Sequence, residues 1–157
     1  MKKNLLLFFL MIFGMCFSQS IKDLHGKWSG ADEGNKKGSF TFFSDGYAAL
    51  EFEGLIIDGR NFVIPSGPNE GKIGKVKYSV DFSEKPYKVK LIAQYNNQEG
   101  KLEENKFLNG LIEFVGKDEL LFYLDFENEN LTTIDPLSPN TISLHRDFSF
   151  KDERKAD

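Results

Sequence analysis

Apolar and polar residues alternate with period two along most of the chain beyond residue 19. The cleanest stretch is Lys75-Val76-Lys77-Tyr78-Ser79-Val80-Asp81-Phe82, followed by Tyr87-Lys88-Val89-Lys90-Leu91. Shorter stretches of the same kind lie at 39–42, 112–114, 120–126 and 142–146. Successive side chains of a strand point to opposite faces, so this pattern buries one set and wets the other. It predicts half-exposed antiparallel strands, and the apolar set of Phe, Val, Ile and Tyr suits a pleated surface. Orientation follows too. Val76, Tyr78, Val80, Phe82, Tyr87, Val89 and Leu91 are expected inside, with Lys75, Lys77, Lys88 and Lys90 in water. A slip of one residue would bury the four lysines.

Turn chemistry separates the strands. Asp45-Gly46 between Phe43 and Tyr47 reads as a short hairpin, because glycine takes positive φ without steric cost. Ser83-Glu84-Lys85-Pro86 and Gly116-Lys117-Asp118 join further pairs, and Asn96 opens what reads as a longer polar connection. Residues 55–71 and 127–140, with Gly59, Pro65, Pro68, Pro136 and Pro139, are expected to be long loops. One helical signal stands out: Ser20 with Asp23 fits a capping box, and Gly26 limits the helix to a single turn. The pattern holds no internal repeat and no domain linker. Six to nine short strands, each followed closely by the next, predict an all-β, antiparallel meander, and closing it into a barrel removes exposed edges.

The first twenty residues, MKKNLLLFFLMIFGMCFSQS, change the picture. Lys2 and Lys3, an uncharged apolar run from Leu5 and small residues at Cys16 and Ser18 are the three parts of a secretory signal peptide, cleaved near Ser18. Lipidation at Cys16 ranks second, because Met15 stands where a small residue is wanted. An uncleaved anchor ranks third, since the run is shorter than the ~20 residues a spanning helix needs. The expected organisation is a signal peptide over 1–18, a barrel over 19–150 and a charged, frayed tail over 151–157. Cys16 is the one cysteine, so the mature domain is expected to rely on its core without disulfides. Losing Lys2 and Lys3 leaves 18 basic against 24 acidic side chains, a net −6. That balance argues against nucleic acid or an anionic membrane as partner.

The catalytic inventory is thin. His25 and His145 are the two histidines, both expected exposed, and a metal site wants several converging ligands. No Gly-x-Ser-x-Gly occurs, and nothing singles out two carboxylates as an acid–base pair. No catalytic residue, metal ligand or cofactor is assigned. Asp125, Glu127 and Glu129 read as a solvated loop, lacking the glycine and terminal glutamate of a calcium loop. Asn130-Leu131-Thr132 fits a glycosylation sequon. Of 16 phenylalanines, twelve lie beyond residue 18, and Phe40, Phe42, Phe52, Phe82, Phe114, Phe122 and Phe126 take inward positions. An eight-stranded barrel holds either its own side chains or one small ligand, and so many rings favour the filled core.

At Leu24-His25-Gly26-Lys27-Trp28 the chain resembles the lipocalin-like, or calycin-type, group. More narrowly it is similar to small secreted bacterial domains with a Leu-x-Gly-x-Trp start and a Tyr-x-x-Asp-x-x-x-x-Pro strand-turn. Tyr78, Asp81 and Pro86 match the latter. The resemblance implies a short helical turn, then a barrel whose closed end is formed by Trp28 with Arg146 of the last strand packed across it. It also implies a secreted or periplasmic barrel that binds a small apolar ligand at its open end, the ligand-binding residues staying unassigned. The alternative is a non-enzymatic, envelope-associated structural or protein-interaction domain with a filled core. The oligomeric state is left open.

Overall fold

The computed structural model describes residues 19–31, 37–52, 54–64, 69–125, 130 and 132–152. One turn of helix, α1 (Ile21–Leu24), precedes β1 (Gly26–Ala31), β2 (Lys37–Phe42), β3 (Ala48–Phe52), β4 (Leu55–Ile57) and β5 (Phe62–Val63). Then come β6 (Ile73–Asp81), β7 (Tyr87–Asn96), β8 (Leu102–Phe114), β9 (Glu119–Asp125) and β10 (Thr141–Asp147). Among the described residues strand accounts for 58% and helix for 3%. Asp23 Oδ2 accepts from the Ser20 amide at 2.8 Å and so starts α1. Every strand pairing is antiparallel, in the order β4-β3-β2-β1-β10-β9-β8-β7-β6-β5.

This is a nearly closed meander barrel. The first and last long strands pair, Trp28 opposite Arg146, so the chain ends meet inside the ladder. The break falls mid-chain, between β4 and β5. Around it, β6 is bonded to the turns at 43–47 and 58–61: Tyr78 N–H to Gly46 O at 3.0 Å, Val76 N–H to Gly59 O at 2.7 Å, and the Tyr78 hydroxyl to Phe43 O at 2.8 Å. Gly59 sits in the 58–61 turn with backbone on both sides. A Cβ there would run into Ala48 O and lie 2.9 Å from Val76 O.

The alternation places the core where expected. Val76, Tyr78, Tyr87, Val89 and Leu91 are buried, Val80 and Phe82 pack half-buried against them, and Lys75, Lys88 and Lys90 are exposed. Lys77 is half-buried, its ammonium 5.8 Å from the Tyr47 ring. The aromatic rings interlock: Phe40 meets Phe122 at 4.6 Å and Phe52 at 5.1 Å, and Phe42 meets Tyr78 edge-on at 5.1 Å. Such pairs add to the area they bury.

Four expectations need correction. Ten strands form, not six to nine. The extra ones are β4 and β5, which turn the predicted 55–71 loop into edge strands too short to show a period. Residues 97–101 form a tight turn, the Asn97 amide bonding Lys101 O at 2.9 Å, and β8 runs on from Leu102. A register shift against β7 interrupts β8 between Lys106 and Leu108 and breaks its alternation. The tail is held at its start: Asp152 pairs with Arg60 at 3.2 Å. His25 is half-buried, not exposed, because it lies between α1 and β1 against the barrel end.

Candidate functional site

The interior is the first place to look for a ligand, and side chains occupy it. Trp28, Phe40, Phe42, Leu91, Ile112, Leu120, Phe122 and Leu144 are at most 1% exposed. These residues come from β1, β2, β7, β8, β9 and β10, all facing one axis. Concavities lined by described residues lie outside, one over the outer face of β1, β2 and β3 beside Lys27 and Glu51.

At one end α1 caps the barrel. Leu24 is fully buried, and its carbonyl accepts from Trp28 Nε1 at 2.7 Å. The Arg146 guanidinium lies over the Trp28 ring, 4.2 Å from its centroid. Arg146 Nε donates to Asp118 Oδ1 at 3.0 Å, and its terminal nitrogens donate to His25 O at 2.8 Å and Asp23 O at 2.6 Å. Pairing of β1 with β10 brings Trp28 and Arg146 together, and the β8–β9 turn brings Asp118. The Tyr87 hydroxyl donates to Gln19 Oε1 at 2.8 Å and ties down the segment before α1.

A second cluster closes the seam. The Arg60 guanidinium lies 3.7 Å from the centre of the Phe43 ring, and Phe150 approaches the same ring at 6.2 Å. Arg60 pairs with Asp45 at 2.7 Å and with both oxygens of Asp152 at 3.2 Å. Burial opposes the Arg60 charge, but the bonds to Asp152 and Asp45 outweigh it and raise its pKa. The two carboxylates gathered here are therefore both ion-paired with Arg60. Beside this cluster Tyr78 has its pKa pushed up to about 12, by burial first and then by Asp45.

His25 lies after α1, whereas His145 is exposed on β10, opposite Glu119. Among the described residues no three His, Cys, Asp or Glu side chains gather closely enough to hold a metal ion. No described helix is long and apolar enough to cross a membrane. Residues 1–18 with Cys16 and Ser18, Phe126, Glu127 and Glu129 of the acidic group, Leu131 of the sequon and residues 153–157 lie outside the described residues. Sequence reasoning missed Arg60. Its one local signal was a lone arginine in a Gly/Pro-marked segment.

Comparison of the chain with protein-family models, with curated proteins and with solved structures found no match.

Proposed function

We propose that the chain is an exported, non-enzymatic, lipocalin-like domain, secreted or periplasmic. Its barrel is a filled scaffold that meets its partners with the outer surface. The observation that carries this reading is the packing of the interior: Trp28, Phe40, Phe42 and Phe122 are each at most 1% exposed and occupy the space a ligand would need. Arg146 stacked on Trp28 across the paired first and last strands is the arrangement that the Leu-x-Gly-x-Trp resemblance implies, and it supports the lipocalin-like part. Export rests on the leader pattern of residues 1–18.

A second reading keeps a small apolar ligand at the mouth, the end away from α1. Phe52, Leu124 and Ile142 favour it, being half-buried at that end. Titration with N-phenyl-1-naphthylamine, a neutral apolar fluorophore, separates the two. The filled barrel gives no saturable rise that Leu124→Arg removes, and a saturable rise abolished by Leu124→Arg would overturn it in favour of the second reading. Mass analysis of the exported protein should find Gln19 as the first residue. A diacylated Cys16, or full-length chain retained in the cytoplasm, would overturn the cleavage.

A further inference from the structure

Beside the closed end, outside the barrel, lies a surface concavity of about 700 Å3, within the range of small-molecule sites. Three segments wall it: the stretch around α1, the β8–β9 turn, and the chain leaving β10. Two of its residues are aromatic. Phe114 packs edge-on against Trp28, with ring centroids 6.1 Å apart. Phe148 is 76% exposed. An apolar group seated in the concavity would take that ring out of water.

The charges are uneven. Both carboxylates of the concavity are engaged, Asp118 by Arg146 at 3.0 Å and Asp23 by the Ser20 amide at 2.8 Å. Lys22 and Lys117 are exposed, and neither ammonium group has an ion pair or hydrogen bond among the described residues. Arg146 stands behind them and spends three of its five N–H donors on Asp118, His25 and Asp23. The charge left to a ligand is therefore positive, on a chain whose net charge is −4. A neutral apolar molecule would leave both ammonium groups unanswered. An inorganic anion would leave Phe114 and Phe148 wet. A molecule with an apolar body and one carboxylate satisfies both.

The geometry points to a binding site for an amphipathic carboxylate in this concavity, its acid group between Lys22 and Lys117 and its apolar part against Phe114 and Phe148. The inference rests on the filled-barrel reading, because it places the ligand outside the barrel.

Calorimetric titration of the exported protein with dodecanoate and with dodecanol tests it, together with amide NMR shifts. Dodecanoate should bind one molecule per chain, about tenfold or more tighter than the alcohol. The double variant Lys22→Glu, Lys117→Glu should weaken it by about tenfold or more, and Phe148→Ser should weaken both ligands. Lys90→Glu, on β7 and outside the concavity, should leave binding unchanged. These positions are exposed, so each variant should keep its fold, which circular dichroism checks. Shifts should gather at Phe114, Gly116, Lys117 and Phe148. Equal affinity for acid and alcohol, or no binding by about 1 mM, would overturn the site and leave the filled barrel standing. Shifts gathered at Phe52, Leu124 and Ile142 would overturn both.

Discussion

Arg146 serves four neighbours at once: the Trp28 ring, the Asp118 carboxylate and the carbonyls of His25 and Asp23. Lysine supplies the charge but neither the planar face nor the fork of donors. Arg146→Lys should therefore lower stability by about 1–3 kcal/mol, read as a lower urea midpoint at unchanged slope. An unmoved midpoint would remove Arg146 from the closure. Tyr78 makes a prediction in pH. Its phenol is pushed up to about 12 in the native chain, against ~10 when unfolded. Between those values the unfolded chain has lost a proton that the native chain keeps. Stability therefore falls as pH rises from about 10, and the loss, about 3 kcal/mol at most, is complete above about 12. Lysines titrate in the same window, so the useful comparison is with Tyr78→Phe. Wild type should start more stable, and the gap should close toward pH 12, whereas a constant gap would refute a raised Tyr78 pKa. Trp28 and Arg146 were legible in the sequence because a motif and strand positions marked them. Arg60 was not, since its partners Asp45 and Asp152 lie 15 and 92 residues away and no local pattern links them.

Strands β6 and β7 were readable residue by residue, because one face meets the core and the other meets water throughout. The residual differences are graded by burial. Val89, 1% exposed, should cost about 2–3 kcal/mol on replacement by Ala through lost transfer energy and a cavity. Val80, half-buried near the barrel end, should cost about half as much. Lys90→Ala should stay within about 0.5 kcal/mol. Chemical denaturation of the three variants checks the order, and a costlier lysine would refute the register. Elements that escaped the sequence did so for physical reasons. β4 and β5 have three and two residues, less than one full alternation on each face, and β8 loses its period at the register shift. The 58–61 turn looked like ordinary loop because Gly59 is needed for a close approach of backbones, which composition does not record. Gly59→Ala should therefore destabilise by about 2–4 kcal/mol, far more than a glycine change in an open loop, as thermal melting would reveal.

Across the whole molecule the barrel class was legible, but the place of its break was not. Pairing of the first and last strands suggested complete closure, and the gap instead falls between β4 and β5, where Arg60 holds the turn to Asp45 and to the C-terminal Asp152. Asp152→Ala should speed hydrogen exchange at the Val76 and Tyr78 amides, which bridge the seam, and leave the β1–β10 amides unchanged. Equal acceleration everywhere would mean global destabilisation instead. The strand order carries one more consequence. β1 and β10, the ends of the chain, each have a neighbour on both sides, while β4 and β5, in the middle of the chain, each have one. Proteases usually nibble a domain from its termini, where the fewest bonds hold it. Beyond a trimmed tail, this barrel should be nicked at mid-chain, around 54–64, and the two pieces should stay associated through β1 and β10, comigrating in a native gel and separating in denaturant.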